Sequence, residues 1–233
     1  MSIDGFVMAV PTANADITIT AFQAVPDFAR GNVRDLVVRW MLEEMGRPYR
    51  THLLDGTEPR GAEYLAWQPF DQVPALRDGD LELFESGAIL LYLGEQDERL
   101  LPRDPVARAK VVSWLFAALN SVELPVRPVA TLPLFHGDKA WTADAVAALT
   151  PLAEGRLQRV VDALGDKEWI AGDFSIADIM LIFLLRTIGG ELAKRHDSLD
   201  AYIERGCARP AFERALQAQL DDLDTEMLTL EGA

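Results

Sequence analysis

Apolar residues recur along this chain in two rhythms, and the rhythm changes once. Ile17-Thr18-Ile19-Thr20-Ala21-Phe22 is rich in β-branched residues and bounded by loop residues, which predicts a strand. Leu36, Val37, Trp40, Met41 and Met45 recur at helical spacing, with Gly46 as a stop signal and Pro48 just beyond. Tyr49 to Leu54 alternates as a second strand. Strand, helix and strand in that order predict a parallel pair with a right-handed crossover. Ala62–Gln68 reads as a short helix ended by Pro69. Pro74-Ala75-Leu76 and Leu81, Leu83 and Phe84 flank the turn signal Asp78-Gly79, the pattern of a β-hairpin. Proline cannot donate to a sheet ladder, so Pro74 belongs at the strand start. Glu85 to Gln96 then reads as a helix, with Ser86 a good N-cap type. The element order is βαβαββα.

Beyond Leu100-Leu-Pro-Arg-Asp-Pro105 the strand rhythm stops. Val106–Leu124 has Val111, Val112, Leu115, Leu119 and Val122 at helical spacing, with Pro125, Pro128 and Pro133 expected to kink or end it. Thr142–Leu164 is a second long helix. Ser175 followed by Asp178 forms a capping box, with Phe174 and Ile179 at the staple positions. The helix it opens, Ile176–Leu192, is apolar almost all round and therefore expected to be central. Leu199–Arg205 and Pro210–Leu220 are shorter surface helices. The expected organisation is α/β plus all-α: an N-terminal extension at 1–16, an α/β domain at 17–97, a linker at 98–105, an all-helical domain at 106–220 and an acidic tail at 221–233.

Composition narrows the function classes. The chain has 233 residues, 49% of them hydrophobic, enough for a sizeable core. Its net charge of -15 argues against a nucleic-acid partner, which wants a basic face. The single cysteine, Cys207, leaves no intramolecular disulfide and fits a reducing compartment. Met1 to Asp16 carries Asp4 and neither Lys nor Arg, unlike a signal peptide. Apolar runs fall short of the roughly 18 residues a membrane span needs. His52, His136 and His196 are scattered without metal-ligand spacing, so no metal is expected.

The stretch from Asp71 to Leu93 holds the candidate chemistry. The N–H groups at the start of the helix after Glu85 favour an anion, and Glu85 itself offers a carboxylate to a cation. Together they suit the carboxylate and ammonium of an amino acid. On the residues alone, an ordinary hairpin followed by a capped helix is the equal alternative.

Gln72-Val73-Pro74-Ala75-Leu76, then Leu83-Phe84-Glu85-Ser86-Gly87-Ala88-Ile89, resembles the glutathione-binding signature of cytosolic glutathione transferases. The likeness runs from about Ile17 to Leu220. It includes Arg39-Trp-Met-Leu-Glu-Glu-Met-Gly-Arg-Pro-Tyr49 in the first helix and the Ser175–Asp178 capping box in the second half. The resemblance implies a thioredoxin-like N-terminal domain and a helical C-terminal domain. It implies a cis bond before Pro74, Val73 pairing with the cysteinyl backbone of glutathione, and Gln72, Glu85 and Ser86 holding the tripeptide. Arg60 is a candidate for the glycyl carboxylate. The first long helix, with Trp114, Phe116, Asn120 and Glu123, is implied to line the second-substrate pocket. The family also implies a cytoplasmic homodimer, no membrane and no metal, with glutathione as co-substrate and a small hydrophobic electrophile or disulfide as its partner in detoxification-type chemistry.

The chain departs from the family pattern in the loop after the first strand. Families usually place Ser, Tyr or Cys there to hold the thiolate; Ala24-Val-Pro-Asp-Phe-Ala-Arg-Gly-Asn-Val-Arg-Asp35 has none. Counting back from Arg39 puts Asn32 and Arg34 near the usual positions, in that order of expectation, with backbone N–H groups at the helix start as a third donor. The expected activity is conjugation of glutathione to an electrophile. Glutathione-dependent disulfide reduction and a non-catalytic binding role on the same scaffold are the rivals.

Overall fold

The computed structural model describes residues 17–56 and 58–223. The expected N-terminal extension, and the tail beyond Leu223, lie outside the described residues. Four strands form one sheet in the order β2-β1-β3-β4: β1 Ile17–Phe22, β2 Tyr49–Leu54, β3 Ala75–Asp78 and β4 Leu81–Phe84. β1 runs parallel to β2, with Ile17 opposite Tyr49, and antiparallel to β3. β3 and β4 close a hairpin through Gly79, whose φ of 62° is one that a residue without a Cβ adopts freely. Three helices complete this half: α1 Asp35–Met45, α2 Ala62–Trp67 and α3 Ser86–Gly94. This is the expected thioredoxin-like order. α1 stops at Gly46, whose left-handed φ of 65° closes the helix end.

The second half is helical: α4 Pro105–Ala117, α5 Leu124–His136, α6 Thr142–Leu164, α7 Ile176–Leu184, α8 Gly190–Lys194, α9 Asp197–Cys207 and α10 Pro210–Asp221. Two wide π turns interrupt it, Ala118–Glu123 between α4 and α5 and Leu185–Gly189 between α7 and α8. The prolines do not end the first long helix. Pro125 falls in the opening turn of α5, where its missing N–H costs little, and Pro128 and Pro133 lie inside it. Packing of α5 along α6 outweighs the bonds they remove.

One core joins the two halves. α7 is buried along its whole length and lies between α1 and α4. Trp40 of α1 meets Phe212 of α10 edge to face, with ring centroids 4.9 Å apart. α7 starts on the expected capping box: the N–H and Oγ–H of Ser175 both donate to Asp178 Oδ2, at 2.9 and 2.8 Å. Asp178 Oδ1 accepts from the Ile170 N–H and the Tyr202 hydroxyl, at 2.9 and 2.6 Å. No helix of the described residues is long and apolar enough to cross a membrane.

Candidate functional site

The hairpin start, the head of α3, the loop before α1 and the α4–α5 wall enclose one cleft of about 890 Å³. Local structure places each contributor. Val73–Pro74 is cis, and the segment before it is held from two sides. The Tyr64 hydroxyl donates to the Gln72 carbonyl at 2.6 Å, and the Ala75 N–H donates to Thr20 Oγ1 at 2.7 Å. The two hydroxyls are themselves 3.1 Å apart. Anchored this way, Val73 lines the cleft, and its backbone N–H and C=O have no hydrogen-bond partner among the described residues. Asp71 turns the chain with a φ of 55°, a conformation Asp tolerates better than most residues.

The N-cap position expected for Ser86 falls instead to Glu85, which adopts a φ of 67°. Positive φ in a residue with a Cβ is costly and clusters at ligand-holding positions. It lets Glu85 stand exposed at the cleft while Ser86 becomes the first residue of α3, nearly buried. The first-turn N–H groups of α3 have no intrahelical acceptors and face the same cleft at Ser86, Gly87 and Ala88. Space is tight at Gly87: a Cβ there would come within 2.7 Å of Leu119 Cδ1 on the opposite wall, so that side chain would have to shift.

The loop before α1 contributes Val33 and Arg34. Neither backbone N–H has a partner among the described residues, and both sit at the positive end of α1. The Arg34 guanidinium crosses the cleft to the Glu123 carboxylate, lies 3.2 Å from Met180 Sδ and stacks over Phe183 at 5.3 Å. Burial pulls it below its ordinary value, and Glu123 is the largest opposing influence. Glu123 also holds Arg127, one turn further on.

The sequence-derived candidates separate here. Gln72, Val73, Pro74, Glu85, Ser86, Arg34 and Asn120 line the cleft. Asn32 does not: its amide donates to the Phe28 carbonyl at 2.8 Å, and its Oδ1 accepts from Arg186 at 3.0 Å. Arg60 also lies off the cleft, bound to the carbonyls of Asp55 and Glu58 and paired with Asp71 at 3.2 Å. Trp114 turns into the core, whereas Phe116 lines the wall. Arg127, Leu119 and Leu124 also line the cleft and were not expected there from sequence, where Leu119 reads only as an apolar helix position. The i,i+4 spacing of Glu123 and Arg127 was the available signal. Among the described residues no cluster of His, Cys, Asp and Glu could hold a metal.

Known proteins share this fold. Residues 28–95 match the family model for the N-terminal domain of glutathione S-transferase. The chain is 32% identical to glutathione S-transferase GstA of Escherichia coli O157:H7, over 76% of this chain and 90% of that one. It is 33% identical to glutathione S-transferase F10 of Arabidopsis thaliana, over 60% of this chain and 68% of that one. Among solved structures, a glutathione transferase family member from Pseudomonas fluorescens Pf-5, with two glutathione bound, superposes with a TM-score of 0.76 at 26% identity, covering 89% of this chain and 94% of that one. A glutathione transferase from Burkholderia graminis, with two glutathione molecules per subunit, gives 0.71 at 26% identity, covering 88% of each. By sequence and by fold, the chain belongs to the glutathione S-transferase family.

Proposed function

We propose that this protein is a glutathione transferase that holds the glutathione sulfur as thiolate and delivers it to a small electrophile. The observation that carries the reading is the convergence on one cleft of an unpartnered Val73 backbone, the Glu85–Ser86 head of α3 and the positive end of α1. Val73 pairs with the cysteinyl backbone of glutathione. Ser86 and the free N–H groups of α3 take the γ-glutamyl carboxylate, and Glu85 takes its ammonium. The sulfur then lies toward Val33 and Arg34. A thiol of ordinary pKa near 8.5 is mostly protonated at neutral pH. Adjacent N–H donors, a helix N-terminus and a guanidinium all favour the thiolate. The thiol proton leaves to solvent, the thiolate forms a bond to the electrophilic carbon, and the leaving group departs with its electron pair.

Arg34, not Asn32, carries the side-chain part of this role, because the Asn32 amide is committed to Phe28 and Arg186. The acceptor lies against Phe116, Leu119 and Leu124, with Asn120 and Arg127 as the polar groups of that wall. The protein works as a cytoplasmic homodimer, as its family implies. A glutathione titration read by thermal shift and by thiolate absorbance tests the reading. Ligand at about 100 times its Kd adds about 2.7 kcal/mol. A shift without thiolate at neutral pH, or no shift, overturns it.

A second reading is reduction of disulfides by bound glutathione. Its thiolate attacks one sulfur of a mixed disulfide, forms glutathione disulfide and releases the other sulfur as a thiolate that takes up a proton. Two observations favour it: no Ser, Thr, Tyr or Cys stands between Ala24 and Asp35, and both solved relatives above hold two glutathione molecules. Turnover of a mixed glutathione disulfide without conjugation of aryl electrophiles would select it.

A further inference from the structure

We propose that Gln219, on α10 far from the cleft in sequence, is a positioning residue for the thiolate-stabilising end of α1. The inference rests on the thiolate reading above and adds a residue to it. Gln219 is almost fully buried and faces the start of α1 from behind. Its Nε2 donates one hydrogen to the Val33 carbonyl at 3.2 Å and the other to Asp35 Oδ1 at 2.7 Å. These are the two neighbours of Arg34. One buried amide therefore holds the Val33–Arg34 peptide on one side of the residue that turns to the cleft and the Asp35 carboxylate on the other.

α10 supports the same segment in two further ways. Leu216 packs so closely on Gly31 that a Cβ there would lie 2.9 Å from its Cδ1. Asp222 Oδ2 accepts from Arg39 Nη2 at 2.6 Å, and Arg39 Nε donates to Asp35 Oδ2 at 2.7 Å. From the neighbouring π turn, Arg186 donates to the Gly31 carbonyl at 2.7 Å. The loop before α1 is thus gripped by the helical half as well as by its own domain, where Val33 packs against the Leu54, Tyr64, Trp67, Val73 and Ala75 cluster. Such support matters because a donor aimed at a thiolate loses its effect when it turns away by a few tenths of an ångström or a few tens of degrees. The charged groups around this end of α1 are Arg34, Asp35 and Arg39 on its own segment, Glu85 before α3, Glu123 and Arg127 across the cleft, Arg186 on the π turn, and Asp222 just past the end of α10.

Two substitutions in the full chain test this. Gln219→Met keeps the volume and removes both donors. Gln219→Asn keeps an amide and leaves it one methylene short of Val33 and Asp35. Each variant is first shown to fold by circular dichroism and thermal unfolding. The bound glutathione thiol is then titrated by thiolate absorbance, and glutathione Kd is measured by calorimetry. The thiol titration moves up by about half to one pH unit, a roughly three- to tenfold loss of thiolate at fixed pH. The Kd for glutathione stays within about twofold, and kcat recovers as the pH is raised. A purely structural role would lower the folded fraction and leave the titration where it was. A folded variant of either kind with the parent's titration curve overturns the proposal alone. A parent whose bound thiol titrates like free glutathione overturns the thiolate reading and this proposal with it.

Discussion

Arg34 and Glu123 meet side chain to side chain across the cleft although 89 residues separate them in sequence. The contact ties the loop before α1 to the wide π turn between α4 and α5. Glu123 neutralises only one of the two guanidinium groups it touches, because Arg127 binds the same oxygen. One positive charge is therefore left over beside the expected sulfur position. Glu123→Gln is expected to lower stability by about 1–3 kcal/mol, the cost of weakening a charged, largely buried contact. It is also expected to increase the thiolate fraction of bound glutathione, since Arg34 then has no competing carboxylate. Arg34→Ala shifts the thiol titration the opposite way. Chemical denaturation and a thiolate titration on both variants check this, and a common direction in the two titrations sinks it.

Ser86 is nearly buried at the head of α3 and lines the cleft. A hydroxyl so placed is a donor in waiting for a carboxylate. Ser86→Ala should weaken glutathione binding by about 1.5–3 kcal/mol, the scale for a hydrogen bond to a charged group. That corresponds to roughly a tenfold to more than a hundredfold rise in Kd. Calorimetry that returns the parent Kd removes Ser86 from the carboxylate site.

The fold was legible wherever local chemistry and packing agree. β1, with its β-branched run, and α1, with Gly46 at its end, fall where the pattern puts them. The Ser175–Asp178 signal likewise marks the start of α7. That the prolines would not end the helix was not legible, because the pattern does not show what α5 packs against. Tertiary contact with α6 holds the helix through Pro128 and Pro133. In the site, the contiguous stretch around Val73, Glu85 and Ser86 was readable because its members lie within one hairpin and one helix start. Gln219 was not, since its partners come from a distant segment, and the i,i+4 spacing of Glu123 and Arg127 does not show that both face the cleft. Asn32 illustrates the limit of counting: two residues in a loop are a short step in sequence but point to different sides of the chain.

Asp178 accepts from two backbone N–H groups and two hydroxyls, and its side chain is buried. Four donors converge on one carboxylate that joins the segment before α7, the start of α7 and Tyr202 of α9. Asp178→Ala strands all of them in an apolar core, where each unpartnered polar group is costly. The expected loss is about 3 kcal/mol or more, among the larger values for single substitutions. Urea denaturation measures it. A loss below about 1 kcal/mol would mean that water takes over the stranded donors.

Asp97, just after α3, accepts from the Arg99 side chain and from the Arg99 N–H, the latter at 3.0 Å. Hydrogen bonding to Arg99 holds its carboxyl below the usual value, against a smaller opposing effect of burial. A depressed folded pKa gives stability that is present above the unfolded carboxylate pKa and lost as pH falls through the folded one. Arg99 is solvent-facing although Asp97 is largely covered, so water screens the pair and Asp97→Asn should cost no more than about 1 kcal/mol at neutral pH. That cost should shrink steadily in acid. Denaturation at neutral and mildly acidic pH reads the difference, and a gap between parent and variant that widens in acid contradicts the assignment.

Arg127 gives the acceptor side of the cleft its only cation beyond Arg34 among the lining residues. Its Nε lies 3.0 Å from Glu123 Oε1, yet its side chain is 45% exposed and stands beside the apolar Leu124. Leu119, Leu124 and Phe116 suit an aromatic or aliphatic body, and Arg127 suits a carboxylate attached to it. The same group would meet a carboxylate of a second glutathione moiety in a mixed disulfide. Arg127→Gln should therefore raise KM severalfold for carboxylate-bearing acceptors. Neutral acceptors of the same shape, and the Kd for glutathione, should change less than about twofold. Equal losses for charged and neutral acceptors would assign Arg127 to the Arg34–Glu123 contact and leave acceptor choice to the apolar wall.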